Sequence, residues 1–447
     1  MSVAERVSGW LWTPWLLGLF LLTGLYYSVR TGFFQLFGLR RWLGDTLLGG
    51  RSRGGGAGGL TPLQSLWSAL ASTLGTGSIA GVATAIVSGG PGAVFWMWVC
   101  ALLGMMTGCA EKILTLLWRR RQGNKTVGGP MYYLAYGLKS PMLAGWWSVA
   151  CMGGALVGGG LVQSGSVAVA LEQAVGLPPL GVSVGAAVLA GVVLAGGLGR
   201  IARVSQVLVP VMGLGLVGGS ILVLWLRREV VPQALNSIFT CALTPRSALG
   251  GACGYTVTAA LRYGLARGVF TNEAGMGSTA LAHAEVREQD PARQGLWAMV
   301  EVLIATGVIC TLIALVILCG GVYDPLHPGS VTGVELTAGS FRAVLGPAGQ
   351  WLVTVSVVLF GFTSVVGWCF YGQCAAKWLF GKAETSWWVW LFLAVTALGG
   401  LGETRWVWQM VDLFTALMAL PNLLALLFLS PAVLECLRDH CKNASDQ

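Results

Sequence analysis

The chain reads as a succession of long apolar stretches separated by short polar connections. Eleven of them match or approach the roughly 20 residues that cross a bilayer core. They lie near Trp10–Tyr27, Leu63–Val87, Gly92–Trp118, Trp147–Ala170, Gly181–Leu198, Val204–Trp225, Ala252–Ala284, Leu296–Gly320, Gly346–Ala376, Trp387–Gly400 and Trp406–Leu429. The pattern predicts an all-α polytopic membrane protein with 11 transmembrane helices. The first stretch reads as a span and not a signal peptide, because it lacks a small-residue cleavage site and is followed by Arg30, Arg40 and Arg41. Arg51–Gly59 is a flexible linker, and Leu226–Gly251 and Gly321–Leu345 are the two longest external loops. No segment outside the bilayer can bury a core of its own, so residues 1–447 form a single membrane domain.

Composition narrows this further. Hydrophobic residues make up 55% and charged residues only 10%, too few to coat a water-facing surface of this size. The 66 glycines and 20 tryptophans suit helices that pack closely and end at membrane interfaces. The net charge of +9 is asymmetric: 18 Lys and Arg fall after odd-numbered spans and in the tail, against 6 on the other side. That bias orients the chain with its N-terminus outside and its C-terminus in the cytoplasm, in a plasma (inner) membrane. It implies lipid, and no nucleic acid, as the surrounding partner. The 11 cysteines lie mostly in apolar runs without CxxC spacing and read as packing residues, with Cys241 and Cys253 as one candidate pair.

Two spans carry interruptions. The second contains ASTLGTGSIAG (Ala71–Gly81) and the seventh RGVFTNEAGMG (Arg267–Gly277). Clustered glycines let a helix unwind, and freed backbone groups persist in hydrocarbon only where a cavity, ion or ligand meets them. Either segment alone fits a close-packing seam. Together they open two five-span blocks, 61–245 and 246–430, preceded by an extra helix at 10–27 and followed by a tail at 431–447. An odd number of spans per block inverts the second block relative to the first. Paired broken helices in such halves point to the binding site of a secondary transporter.

The segments Gly75–Trp98, GGPMYY (Gly128–Tyr133), RGVFTNEAGMGS (Arg267–Ser278) and LPNLLALLFLS (Leu420–Ser430) occur in the order found in the alanine/glycine:cation symporter family, which the chain resembles over nearly its whole length. The resemblance implies a leucine-transporter-like five-plus-five inverted repeat within the amino acid–polyamine–organocation superfamily. It also implies sodium-coupled symport of alanine, glycine or a similarly small neutral amino acid. Proton coupling or uncoupled exchange is the alternative.

By this resemblance and by the suitability of bare peptide dipoles for a zwitterion, Thr76, Gly77 and Ser78 are expected to hold the substrate carboxylate. Phe270, Thr271, Asn272 and Gly275 then hold the ammonium and wall off the side chain. Gln163 either donates to the substrate or makes an interhelical hydrogen bond. The carbonyls of Ala71, Leu74 and Phe360 with the hydroxyls of Thr363 and Ser364 outline a sodium site, the alternative being that both hydroxyls bond back to their own helix. No cofactor beyond the sodium ion is implied. Glu273 and Asp412 are intramembrane carboxylates with structural or coupling roles, Glu273 pairing with unwound N–H groups, Arg267 or Arg262. Glu111 and Glu301 are expected to pair with neighbouring Arg or to snorkel. The chain departs from the family pattern at Ser78, Gly165, Thr271, Ala305 and Gln373, which bears on substrate range and ion stoichiometry.

Other chemistry lacks its residues. His283 in HAEVRE has no HExxH partner, and neither a GxSxG elbow nor a Walker A loop occurs, so an enzyme is disfavoured. No repeated filter suggests a channel.

Overall fold

The structure is a computed structural model, and it describes residues 14–48, 59–122, 125–244, 257–325, 327, 331–381, 385–402 and 405–443. Nearly all of this is helical. The elements used below are α1 (Pro14–Arg30), α2 (Pro62–Thr73), α3 (Ala80–Gly89), α4 (Gly92–Leu117), α5 (Pro141–Val175), α6 (Pro179–Leu194), α7 (Gly197–Leu226), α8 (Val231–Leu243) and α9 (Val257–Asn272). They continue with α10 (Ala280–His283), α11 (Pro291–Cys319), α12 (Gly333–Leu345), α13 (Pro347–Phe380), α14 (Ser386–Ala397), α15 (Arg405–Phe428) and α16 (Ser430–Asn443).

Six helices (α4, α5, α7, α11, α13 and α15) are long and apolar enough to cross a membrane. The pair α2 and Thr76–Gly89, bent by 67° at the predicted interruption, is together long and apolar enough to make a seventh. The first, fifth and tenth predicted spans appear as shorter apolar helices, Trp15–Arg30, Pro179–Leu194 and Ser386–Leu401. The seventh divides into α9 and α10 around an irregular stretch.

Both predicted external loops contain helices instead. α8 buries Ala234, Ile238, Cys241 and Ala242, and α12 buries Val334, Thr337, Ala338 and Phe341. Each is amphipathic and too short to register as a crossing, so its apolar face merges with loop composition when only long runs are counted. Cys253 lies outside the described residues, and the Cys241–Cys253 pairing with it.

Two scaffolds hold the interruptions. α4 packs along both α9 and α11, and α13 packs along α2, α5 and α7. Small residues permit these approaches: a Cβ on Gly264 would collide with the Ala93 carbonyl oxygen. The extra helix α1 lies against α4 and α15, where the Tyr27 hydroxyl donates to Leu426 O at 2.5 Å.

A candidate binding site at two broken helices

α2 starts at a capping box in which Thr61 and Gln64 exchange side chain and backbone bonds. Its last regular bond runs from Leu74 N to Leu70 O. Gly75 is extended, Thr76–Ser78 make one tight turn, and α3 resumes at Ala80. The side chain that meets this break comes from α5. Gln163 Oε1 accepts from Thr76 N at 2.9 Å and from Thr76 Oγ1 at 3.1 Å, while its Nε2 donates to Gly158 O at 3.2 Å. That carbonyl sits in a wide π turn, Ala155–Leu161, which interrupts the regular bonding of α5. Gln163 thus bridges the π turn of α5 and the first break. A Cβ on Gly75 would lie 2.6 Å from Ser364 Oγ and 2.8 Å from Gln163 Oε1; one on Gly77 would lie 2.7 Å from the Phe270 ring. Ser78 is fully buried, with its side chain toward the Cys310 thiol.

The expected cation ligands divide into two neighbouring pairs. Ser364 Oγ donates to Ala71 O at 3.1 Å and Ser72 O at 3.0 Å, crossing from α13 to the end of α2. Thr363 Oγ1 donates back to Phe360 O at 3.1 Å. One hydroxyl therefore bonds within its helix and the other bridges to the break. These are hard neutral oxygens, the ligand type sodium prefers, and Ser364 is fully buried. Leu74 lies in the same turn of chain as Ala71.

The second break has a different chemistry. α9 ends at Asn272, and Glu273 adopts a left-handed backbone with φ 53°, followed by Gly275 at 91° and Gly277 at 78°. Only glycine tolerates such angles readily, so the two glycines are fixed here by conformation as well as by space. Glu111 Oε1, from α4, accepts from Gly275 N at 2.8 Å and from Asn422 Nδ2 at 2.6 Å. Asn422 Nδ2 also donates to Gly275 O at 2.9 Å, and Tyr133 donates its hydroxyl to Asn422 Oδ1. A Cβ on Gly275 would meet the Phe20 ring of α1 at 2.5 Å. Asn272 Oδ1 accepts from Ala274 N at 3.1 Å, and Thr271 bonds back to Arg267 O.

The expected pairings of the acids need correction. Glu273 accepts from Ser278 Oγ at 2.5 Å, a side chain of its own loop. Arg267 instead meets Asp412 on α15 through both carboxylate oxygens, at 2.9 and 3.1 Å, and lies over the Trp408 ring at 5.0 Å. Trp408 stands edge-on to Phe270 with centroids 6.0 Å apart. Glu111 and Glu301 neither snorkel nor pair with Arg; both are fully buried. Glu301 Oε2 lies 2.9 Å from Lys112 Nζ, and Glu301 Oε1 accepts from Thr73 Oγ1 at 3.3 Å. Burial inside the helix bundle makes an internal cation a better partner than distant water.

The structure thus joins Thr76 to Gln163 and, separately, Ser364 to Ala71 by hydrogen bonds, and sets Phe270 against Gly77. Thr271, Asn272 and Gly275 make their own contacts around the second break, with no hydrogen bond to the first among the described residues. Sequence reasoning missed Glu111, Asn422 and Lys112 as partners of that break. The available signal was the presence of Glu111 and Lys112 side by side in an apolar span.

The model of the sodium:alanine symporter family matches residues 1–447. The sodium/alanine symporter AgcS of Methanococcus maripaludis is 35% identical over 99% of this chain and 99% of its own length. The amino-acid carrier protein AlsT of Bacillus subtilis is 33% identical over 94% of this chain and 88% of its own. Among solved structures, an Eremococcus coleocola manganese transporter aligns at a TM-score of 0.52 with 13% identity, covering 85% of this chain and 93% of that one. The substrate-bound, outward-open state of a Na+-coupled sialic acid symporter aligns at 0.50 with 14% identity, covering 94% and 82%. At such identities these two establish a shared membrane-transporter fold and nothing finer. Matched from first residue to last, the chain belongs to the sodium:alanine symporter family, a family of transporters and not of enzymes.

Proposed function

We propose that this transporter couples sodium entry to uptake of alanine, glycine or a similarly small neutral amino acid by alternating access. In this reading the protein has eleven spans, with residues 61–245 and 246–430 as inverted repeats, α1 as an added helix, an external N-terminus and a cytoplasmic tail in the plasma (inner) membrane. One observation carries the assignment. The free peptide N–H at the first break meets a neutral amide oxygen, whereas the one at the second already meets a carboxylate. A substrate carboxylate therefore belongs at Thr76, Gly77 and Ser78, where it displaces Gln163 Oε1 and gains charge-assisted bonds. The substrate ammonium and side chain then face Phe270 and the α9 end, with Thr271, Asn272 and Gly275 shaping that wall.

Sodium is collected by Ala71, Leu74, Phe360, Thr363 and Ser364, with the two hydroxyls turning their lone pairs inward. Glu273 clamps its own loop through Ser278. Asp412, Arg267, Trp408 and Phe270 form a cover beside the first break, combining one ion pair with aromatic bulk.

The test is uptake of labelled alanine into proteoliposomes with sodium, potassium or choline outside, with and without a protonophore, alongside a panel of small amino acids. Uptake that requires sodium and ignores the protonophore is expected. Equal uptake in choline, abolished by the protonophore, assigns coupling to protons instead.

A further inference from the structure

A second polar cluster lies between the two breaks, and the transport reading does not use it. His283, on α10, is fully buried. Its Nδ1 stands 2.5 Å from Gln294 Nε2 and 3.4 Å from Ser65 Oγ. Its Nε2 points toward Glu301 Oε2 at 3.7 Å, beyond hydrogen-bond reach. Two buried atoms here, His283 Nε2 and Gln294 Oε1, have no hydrogen-bond partner among the described residues, and Glu301 Oε2 has only the Lys112 ammonium at 2.9 Å. Unpaired polar atoms in such a place are costly.

We propose that His283 is a proton-binding site whose occupied state gives partners to His283 Nε2 and Gln294 Oε1 and a second cationic partner to Glu301 Oε2. In the neutral ring, Nδ1 accepts from the Gln294 amide and Nε2 carries the hydrogen. A proton taken up from water enters at Nδ1. The Gln294 amide then reverses, so that Oε1 accepts from Nδ1–H in place of Nε2 donating. The Nε2–H of the imidazolium closes on Glu301 Oε2, which keeps Lys112 as its second partner. The reversal also gives up the bond that Gln294 Nε2 donates to Ser65 Oγ at 3.0 Å, and the proton returns by the same route.

The charged groups nearest the ring are Glu301 on α11, opposite Nε2, and Lys112 on α4, already paired with that carboxylate; α2 contributes the neutral Ser65 and Thr73. Glu111, Glu273 and Tyr371 are the further titratable groups around Glu301. An isolated imidazolium is unfavourable away from water, but a carboxylate directly opposite offsets much of that cost.

The position also gives the proton leverage. Glu301 holds Thr73, the last residue of α2 before the first break, and Lys112 donates to Thr279 at 2.8 Å, just ahead of α10. A proton that draws Glu301 toward His283 therefore acts on both broken helices together.

The chain has three histidines, which makes a direct measurement feasible. Full-length protein carrying His327→Gln and His440→Gln, labelled with nitrogen-15 histidine in lipid nanodiscs, leaves His283 as the sole imidazole. Its nitrogen shifts are followed from about pH 5 to about pH 8, the range in which an imidazole changes charge. The expected result is conversion from the Nε2–H tautomer to imidazolium, with Glu301→Gln lowering the midpoint by about 1–3 pH units, the effect of losing an adjacent opposite charge. Gln294→Leu, which removes the acceptor for Nδ1–H, lowers it as well and serves if Glu301→Gln does not fold. Nitrogen shifts that stay constant over the range, or a midpoint indifferent to these variants, overturn the site. This readout needs no transport, so it stands apart from the substrate assignment. Labelled-alanine counterflow at fixed sodium, with only the internal pH varied, tests the link to the breaks: a slope through the midpoint that His283→Gln abolishes is expected, and a flat wild-type rate overturns the link.

Discussion

At the first break the peptide N–H of Thr76 meets the amide oxygen of Gln163, whereas at the second that of Gly275 meets the carboxylate of Glu111. Both segments are glycine-rich, buried and flanked by helix. They differ in what holds them. Hydrogen bonds to a charged group are roughly twice as strong as neutral ones, and displacing Glu111 leaves a buried carboxylate without its donors. Displacing Gln163 leaves only an amide, which can turn to another partner. One break is therefore suited to exchange its ligand and the other to keep it. Backbone geometry points the same way: the first passes through an extended glycine and a tight turn, while the second threads three left-handed residues that have few alternatives.

Gly77→Val tests the exchangeable side most severely. A branched side chain there collides with Phe270, and substrate affinity, measured by calorimetric titration of the purified protein, is expected to fall by about 100-fold or more. Affinity unchanged from wild type detaches the substrate from this break. Glu111→Leu tests the retained side: it strands Gly275 N and an Asn422 donor, lowering stability by about 2 kcal/mol in denaturant melts, whereas Gln163→Leu lowers it by about half that. Equal losses erase the contrast.

The double variant Thr363→Ala with Ser364→Ala sharpens the ion assignment. It is expected to raise the sodium concentration for half-maximal uptake about tenfold, equivalent to about 1.4 kcal/mol, with little change in melting temperature. An unchanged sodium requirement removes these hydroxyls from the ion.

The smallest effect is expected away from both breaks, at the end of α16. His440 Nδ1 lies 2.7 Å from Asp290 Oδ2 and its Nε2 lies 3.2 Å from Asp45 Oδ2. The hydrogen bond to Asp290 raises the His440 pKa above 6.5 against the opposing effect of burial, with the Asp290 charge and Asp45 adding to the rise. Burial alone would raise Asp290, but the bond and charge of His440 hold it below 3.8. The histidine contribution is complete below about pH 6.5 and is lost as pH rises through the raised folded value. The Asp290 contribution is present above its ordinary value and is lost as pH falls through the depressed one. Because the pair is partly exposed, His440→Gln is expected to cost about 0.5 kcal/mol in mildly acidic solution and less in alkali, read from thermal melts across pH.

Both interruptions were legible from glycine and polar residues set at mid-span, where packing alone does not call for Asn272 or Glu273. So were the crossings formed by long apolar runs, and the nearness of Ser364 to the α2 end followed once the resemblance supplied the pairing. The partners of the breaks were not. Glu111 reaches Gly275 across 164 positions of sequence, and Gln163 reaches Thr76 across 87. A residue's local pattern says that it is costly in hydrocarbon, not which distant group meets it. The same limit hid α8 and α12, whose single apolar faces are too short to stand out beside full crossings.

The Phe20 ring has a practical bearing for anyone handling this molecule. It comes from α1, which precedes both broken segments in the chain, yet it stands where any substituent on Gly275 would begin. Trimming or tagging the front of the protein is therefore an intervention on its interior: a shortened version lacking that ring leaves the Gly275 loop without its brace, and a reporter placed on α1 registers any displacement of that loop.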